Sequence, residues 1–215
     1  VELTYSINGR MNLGKWLEFY VQILKDFNFS KEEDEFAAVL MHKLGKEKLL
    51  DSSILQRKVK WEDVIVIGPI LREGDFEEIK RFHGVRITAG KALNVVINHI
   101  TPDVHVTDME EGDEILLELQ EKGCILVLHA HGDNIERIKS MIPRIGSFIG
   151  TTQSIPFNRI YNFGGFTDGD RAACMAKEMG AKSIKLIGFD FERAKGIKKK
   201  KLEWARKILA YEGIL

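Results

Sequence analysis

VIVIGPILREGDFEEIKRFHGVRITAGK, residues 64 to 91, holds one full repeat of the pattern that decides the fold. A continuous apolar run, Val64 to Gly68, leads through a polar loop into a helical stretch from Asp75 to Phe82, then into a second apolar run, Val85 to Ala89. Strands that are apolar at every position have both faces covered, which is the mark of a parallel sheet between helices. The same alternation continues outward. Further runs are DVHVT (103–107), CILVLHA (124–130), SFIGT (147–151), RIYNF (159–163) and IKLIGF (184–189). Helical stretches fall at Lys91 to His99, Asp113 to Glu121, Asn134 to Met141 and Asp170 to Met179, with a closing helix from Lys198 to Tyr211. The pattern predicts an α/β protein with a mostly parallel open sheet and helices on both faces.

Ahead of Trp61 the period is helical. Trp16, Leu17, Tyr20, Val21, Ile23, Leu24 and Phe27 form one apolar stripe between Met11 and Phe27. Ser30 and Glu33 read as a capping box for a second helix carrying Phe36, Ala37, Leu40, Met41 and Leu44, stopped by Gly45. A short third helix follows through Leu49, Leu50, Ile54 and Leu55. The expected organisation is a small helical N-terminal domain over 1–60 and an α/β catalytic domain over 61–215. Trp16 and Trp61 are both expected in the core, and nothing before residue 60 carries a catalytic signature.

Composition narrows the function classes. Lys plus Arg and Asp plus Glu stand at 32 each, so no global field draws the chain to nucleic acid or an anionic membrane, and an anionic ligand must be held locally. The run Lys198 to Lys201 reads as a solvated face. Cys124 and Cys174 lack metal-ligand spacing and are expected as buried thiols. VELTYSINGR lacks the basic-then-apolar pattern of a signal peptide, and no apolar run reaches membrane-spanning length, so a cytoplasmic protein is expected.

In open parallel sheets ligands bind beyond the carboxyl ends of the strands, and the residues just after the apolar runs here are polar. TDMEEGDE (107–114) sets Asp108, Glu110, Glu111 and Asp113 close together, where like charges repel unless a cation offsets them. A hard divalent ion such as Mg²⁺, shared with substrate phosphates, suits them. HAHGDN (129–134) offers His129, His131, Asp133 and Asn134, with both histidines on one side of an extended chain. GTTQS supplies Thr151, Thr152 and Gln153. NFGGFTDGDRA (162–172) combines Gly164 and Gly165, which permit close backbone approach, with Asp168, Asp170 and Arg171; Thr167 or Asp168 would cap a helix beginning near Asp170. Neither a P-loop nor a GxGxxG turn is present, which disfavours a Walker-type kinase or a Rossmann dehydrogenase.

The strings HAHGDN, GTTQ, NFGGFTDGDRA and GFDF, in this order on an α/β unit behind a helical segment, resemble the archaeal 6-hydroxymethyl-7,8-dihydropterin pyrophosphokinases. That resemblance covers nearly the whole chain and is most specific over 103–191. It implies a core similar to thiamin pyrophosphokinase and Mg²⁺-dependent transfer of diphosphate from ATP, the co-substrate, to a reduced pterin alcohol. AMP is released, in folate or methanopterin biosynthesis. The metal carboxylates would then be Asp108 and Glu110, with Glu111 beside them. His129, His131, Asn134, Thr152, Gln153, Gly164, Gly165, Asp168 and Asp170 would bind the substrates. Arg171 would stabilise charge on the transferred group, and Asp133 would orient the nucleophile. Phe163, Phe166 and Phe189 are candidates to stack on the pterin ring.

Three departures from the family pattern stand out. The second carboxylate is Glu110 rather than Asp, an Asp-Gly pair is replaced by Gly90-Lys91, and the first loop reads GPILREGD instead of a GPSL-like form. They motivate one alternative, a catalytically impaired nucleotide- or pterin-binding paralog. A second alternative is a metal-dependent phosphohydrolase using His129, His131, Asp133 and Asp190. The helical N-terminal segment could cap the site or contact a second copy of the chain, so a homo-oligomer is among the expected assemblies.

Overall fold

A computed structural model describes residues 11–215. The reading of VELTYSINGR as leader-free falls on residues 1–10, outside the described residues. Each apolar run of the sequence supplies one strand: β1 (Asp63–Ile67), β2 (Val85–Ala89), β3 (Val104–Thr107), β4 (Ile125–Ala130), β5 (Ile149–Thr152), β6 (Ile160–Tyr161) and β7 (Ser183–Ile187). They form one seven-stranded sheet in the order β6-β5-β4-β3-β2-β1-β7, and every ladder between them is parallel.

Alternate side chains of the strands feed two separate cores, as the period of two requires. Val64, Val66, Ile87, Val104, Val106, Val127 and Ile149 pack beneath Ala172, Ala173, Met175 and Ala176 of α8 (Asp168–Glu178). On the opposite face Ile65 and Ile67 meet Ile79 of α4 (Glu73–Arg81) and Ala92 and Val96 of α5 (Ala92–Val96). Leu126, Leu128 and Ala130 meet Leu116 and Leu119 of α6 (Asp113–Glu121) and Ile138 of α7 (Ile135–Met141) there. The small residues of α8 let it lie close to the centre of the sheet, which brings its N-terminus to the strand ends.

The helices before Trp61 share these cores. Ala37, Ala38 and Met41 of α2 (Lys31–Gly45) pack with the β4 and α7 residues, while Leu55 and Val59 of α3 (Ser53–Val59) join the α8 side. Trp16, Phe19, Tyr20 and Ile23 of α1 (Leu13–Phe27) pack on Cys174 of α8 and on Trp204 and Ile208 of α9 (Gly196–Tyr211). Both cysteines are free and buried. Among the described residues no helix is long and apolar enough to cross a membrane.

Two local expectations change. Trp61 is 75% exposed, at φ 67 beyond the end of α3, with Lys60 over its ring; an isolated aromatic just ahead of a strand had nothing to pack on. The helix expected near Asp170 begins at Asp168, with Thr167 as its N-cap and Asp170 closing the capping box. The two tryptophans therefore differ in energetic weight. Trp16→Ala should cost about 3–5 kcal/mol by loss of buried volume, and Trp61→Ala less than about 0.5 kcal/mol, read as shifts in the urea midpoint of unfolding.

Candidate active site

A cavity of about 710 Å³ opens at the carboxyl ends of the strands. It is lined after β1 by Gly68 and Pro69, after β2 by Gly90 and Lys91, after β3 by Asp108 and Glu110, and after β4 by His131 to Asn134. The chain adds strands in one direction from β1 to β6 and then returns to place β7 on the other side of β1. The loops leaving β1 and β7 run side by side there, with Ile70 N donating to the Gly188 carbonyl at 2.9 Å, and both line the cavity. Gly68 and Gly188 make this crossing possible: a Cβ on Gly68 would lie 2.5 Å from the Gly188 carbonyl oxygen, and Gly188 has φ 74.

Asp108 and Asp168 reach the cavity from opposite directions. Asp108 follows β3, and Asp168 is the first residue of α8. Arg171, one turn along and only 4% exposed, pairs with Asp168 Oδ1 at 2.9 Å and donates to the Phe166 carbonyl at 3.0 Å. Burial pushes the Asp168 carboxyl well above its ordinary range, and the neighbouring Asp108 charge pushes it further, against the pull of Arg171. Burial would also raise Asp108, but His131 and Arg171 outweigh it and hold that carboxyl below its ordinary value. Asp133 N donates to His131 Nδ1 at 3.2 Å, which leaves Nε2–H directed at Asp108 Oδ2, 3.5 Å away. Asp108 Oδ1 is buried and has no hydrogen-bond partner among the described residues.

The remaining sequence candidates divide into those that face the cavity and those that brace it. His129 lines the cavity; its Nδ1 pairs with Thr151 Oγ1 at 3.0 Å, and its Nε2 has no partner among the described residues. Burial, with the charge of Arg171, keeps its imidazole neutral. Asp133 is exposed at the rim. Asn134 clamps two loops: its amide donates to the carbonyls of Asp108 at 2.9 Å and His129 at 2.7 Å, and its oxygen accepts from His131 N. Gln153 also faces the cavity.

Other expected ligand residues are turned away. Asp170 is buried, accepting from the backbone N–H groups of Phe166 and Thr167, as a helix cap must. Glu111 is withdrawn beneath the loop, taking the Thr107 hydroxyl at 2.6 Å and facing His105 Nε2 at 3.7 Å. Thr152 Oγ1 accepts from Ser154 N. Gly164 lies against Met11 and Trp16, and a Cβ on Gly165 would stand 2.3 Å from Arg171 Cα, so this glycine pair brings the loop onto α1 and α8. Phe166 lines the cavity and packs on Phe27, while Phe189 lies over Gly169.

Several cavity residues carried no obvious signature in the sequence. Asp34 of α2 is 3% exposed and accepts from Tyr20 OH and Gln153 Nε2, each at 2.7 Å, and from Gly132 N at 2.8 Å. Trp16 Nε1 adds a bond to the Gln153 carbonyl at 2.7 Å. Asp34 shares the 34, 37, 38, 41 spacing of the buried stripe of α2, and that spacing was the available signal. Arg137 ties down the loop after β3 through the carbonyls of Met109 and Glu111 and through Asp113. Lys198 and Lys201, expected as a solvated face, line the cavity wall. Among the described residues no three His, Cys, Asp or Glu converge as a metal cluster. That holds for Asp108, Glu110 and Glu111 and for His129, His131, Asp133 and Asp190.

Comparison with known proteins places this geometry. The 6-hydroxymethylpterin diphosphokinase MptE-like family matches residues 40–196, which hold every strand and the loops that follow them. The chain belongs to the MptE-like family. It is 38% identical to the 6-hydroxymethyl-7,8-dihydropterin pyrophosphokinase of Pyrococcus furiosus, over 94% of each chain. It is 37% identical to that of Methanothermobacter thermautotrophicus, over 84% of this chain and 79% of the relative. Against that of Methanocaldococcus jannaschii the identity is 32%, over 94% and 95%. Two positions read above as departures meet in space: Lys91 Nζ lies 2.6 Å from Glu110 Oε2 at the cavity. Gly90, beside Lys91, has φ 49, and a Cβ there would sit 2.6 Å from Asp168 Oδ2.

Two outcomes follow for stability. Asp168→Asn should raise the thermal midpoint at neutral pH, because the buried charge beside Asp108 opposes folding. A raised folded-state pKa penalises the native state only above the unfolded value, so the gain should vanish as pH falls below the ordinary 3.8. Asp34→Ala, which strands three donors, should lower stability by roughly 2–4 kcal/mol in a denaturant titration.

Proposed function

We propose that the protein transfers the β,γ-diphosphate of ATP to the hydroxymethyl oxygen of 6-hydroxymethyl-7,8-dihydropterin in an Mg²⁺-dependent reaction that releases AMP. The observation that carries this reading is the Asp108–Asp168–Arg171 group at the crevice, with a buried, unpartnered Asp108 oxygen. Hard oxygen donors of this kind suit a divalent cation shared with phosphates, so Asp108 and Asp168 would hold Mg²⁺, with Glu110 on the same wall. When bound, the ion neutralises phosphate charge and polarises the phosphorus–oxygen bonds.

The protein's own groups supply position and charge. The pterin hydroxyl oxygen forms a bond to Pβ, the bond from Pβ to the α,β-bridging oxygen breaks, and that oxygen leaves on AMP with the electron pair. Arg171, fixed by Asp168 and the Phe166 carbonyl, meets the negative charge that spreads over the transferred group. Asp133, exposed at the rim beside His131, orients the attacking hydroxyl and takes its proton. His131 Nε2–H steadies Asp108. Neutral His129 presents its unpartnered Nε2 to the substrates without adding charge. The names of the relatives support the choice of acceptor.

AMP release from ATP, followed with and without the pterin and with and without Mg²⁺, tests the reading. Release requiring both is expected, and Asp108→Asn should lower it by about 10²–10³-fold with an unchanged far-ultraviolet spectrum. Full activity in that variant would end the assignment. ATP binding without turnover of the pterin would point to a binding role instead.

A further inference from the structure

The cavity is lined by six lysine and arginine side chains, and their pairing is uneven. Lys91 is held by Glu110, Arg137 by Asp113, Arg171 by Asp168 and Arg193 by Asp190. Lys198 and Lys201 have no carboxylate partner among the described residues. They lie three residues apart on α9 and so share one face of that helix. The lysines between them turn elsewhere: Lys199 Nζ lies 3.9 Å from Glu203, and Lys200 Nζ 3.9 Å from Asp26. Lys201 Nζ stands 5.8 Å from the Phe29 ring centre and 5.9 Å from that of Phe166. Aromatic faces orient an ammonium group without neutralising it.

The rest of the lining is rich in carboxylates, with Asp108, Asp168, Asp133 and Glu110 facing the same space. A polyphosphate entering it needs cations beyond those already engaged. We infer that Lys198 and Lys201 form a polyphosphate-binding wall of the site, gripping the phosphate chain of the nucleotide opposite the Asp108–Asp168 pair. The inference rests on the function proposed above and extends it to residues that lie past the matched stretch 40–196. A flexible ammonium is a point charge that follows phosphate oxygens without fixing their geometry, which suits a chain that is cut and transferred.

Calorimetric titration of the protein with inorganic tripolyphosphate, and separately with ATP and Mg²⁺, tests this without turnover. The Lys198→Ala/Lys201→Ala double variant should weaken both affinities by about tenfold or more and flatten their dependence on salt. Lys199→Ala should match the wild type, and Lys198→Ala/Lys201→Arg, which keeps the charge and ring contact at 201, should recover part of the loss seen in the double alanine variant. Unchanged affinities in the double variant, with AMP release intact in the wild type, would overturn the inference and leave the proposed function standing. A wild type that binds neither tripolyphosphate nor ATP would overturn both.

Discussion

Two largely buried carboxylates lining one cavity are the constraint on which the rest of this molecule turns. Asp108 and Asp168 come from different elements, and burial together with the Asp108 charge opposes ionisation of Asp168. Left alone, such a pair would separate or take up a proton. Here neither element can retreat. Asp168 is locked to the first turn of α8 by the Thr167–Asp170 cap and by the close approach of Gly165 to Arg171. Asp108 is held by Asn134 at its carbonyl, while Arg137 holds the next carbonyl along. The repulsion is thus maintained by hydrogen bonds elsewhere, as is common where strain and function coincide.

The helices before the sheet serve the same end from the other side. Asp34 gathers Tyr20, Gln153 and Gly132 onto one buried carboxylate, which ties α1, α2 and the loops after β4 and β5 into one polar network. Fully satisfied networks of this kind specify one arrangement because any partial loss leaves a donor stranded. The loops that carry His131 and Gln153 therefore rest on a rigid backing. The catalysis proposed here depends on placement more than on covalent chemistry and needs that rigidity.

The fold was legible because its signal is repetitive. Seven apolar runs became seven strands, most of them covered on both faces, with the edge strand β7 leaving Ser183 and Lys185 exposed, and the crevice lay where a parallel sheet places it. The site was legible only in part. Motif strings located Asp108, His131, Asp168 and Arg171, but a string gives no side-chain direction: Glu111 and Asp170 sit within acidic motifs and turn inward to satisfy hydroxyl and backbone donors. Asp34 was concealed in KEEDE, where four neighbours of similar composition are not buried, and only its place on the apolar stripe sets it apart. Trp61 erred the other way, because hydrophobicity alone does not supply a surface to pack against. Lys198 and Lys201 were lost in a basic run whose members separate by face only once α9 is laid beside α8.

The stacking of α1 on α9 has a consequence for the timing of assembly. Phe19 sits 6.1 Å from Trp204, and the Met11 amide reaches Glu212, so elements almost two hundred residues apart must meet before either is buried. A chain emerging from the ribosome would present the outer face of α8 and the face of α1 uncovered until the final helix arrives. Substrate could not rescue such an intermediate, because the cavity needs walls from both extremes of the described chain, Phe29 and Asp34 at one and Lys198 and Lys201 at the other. Ligand stabilisation, which acts only on a state that binds, is thereby confined to the finished molecule.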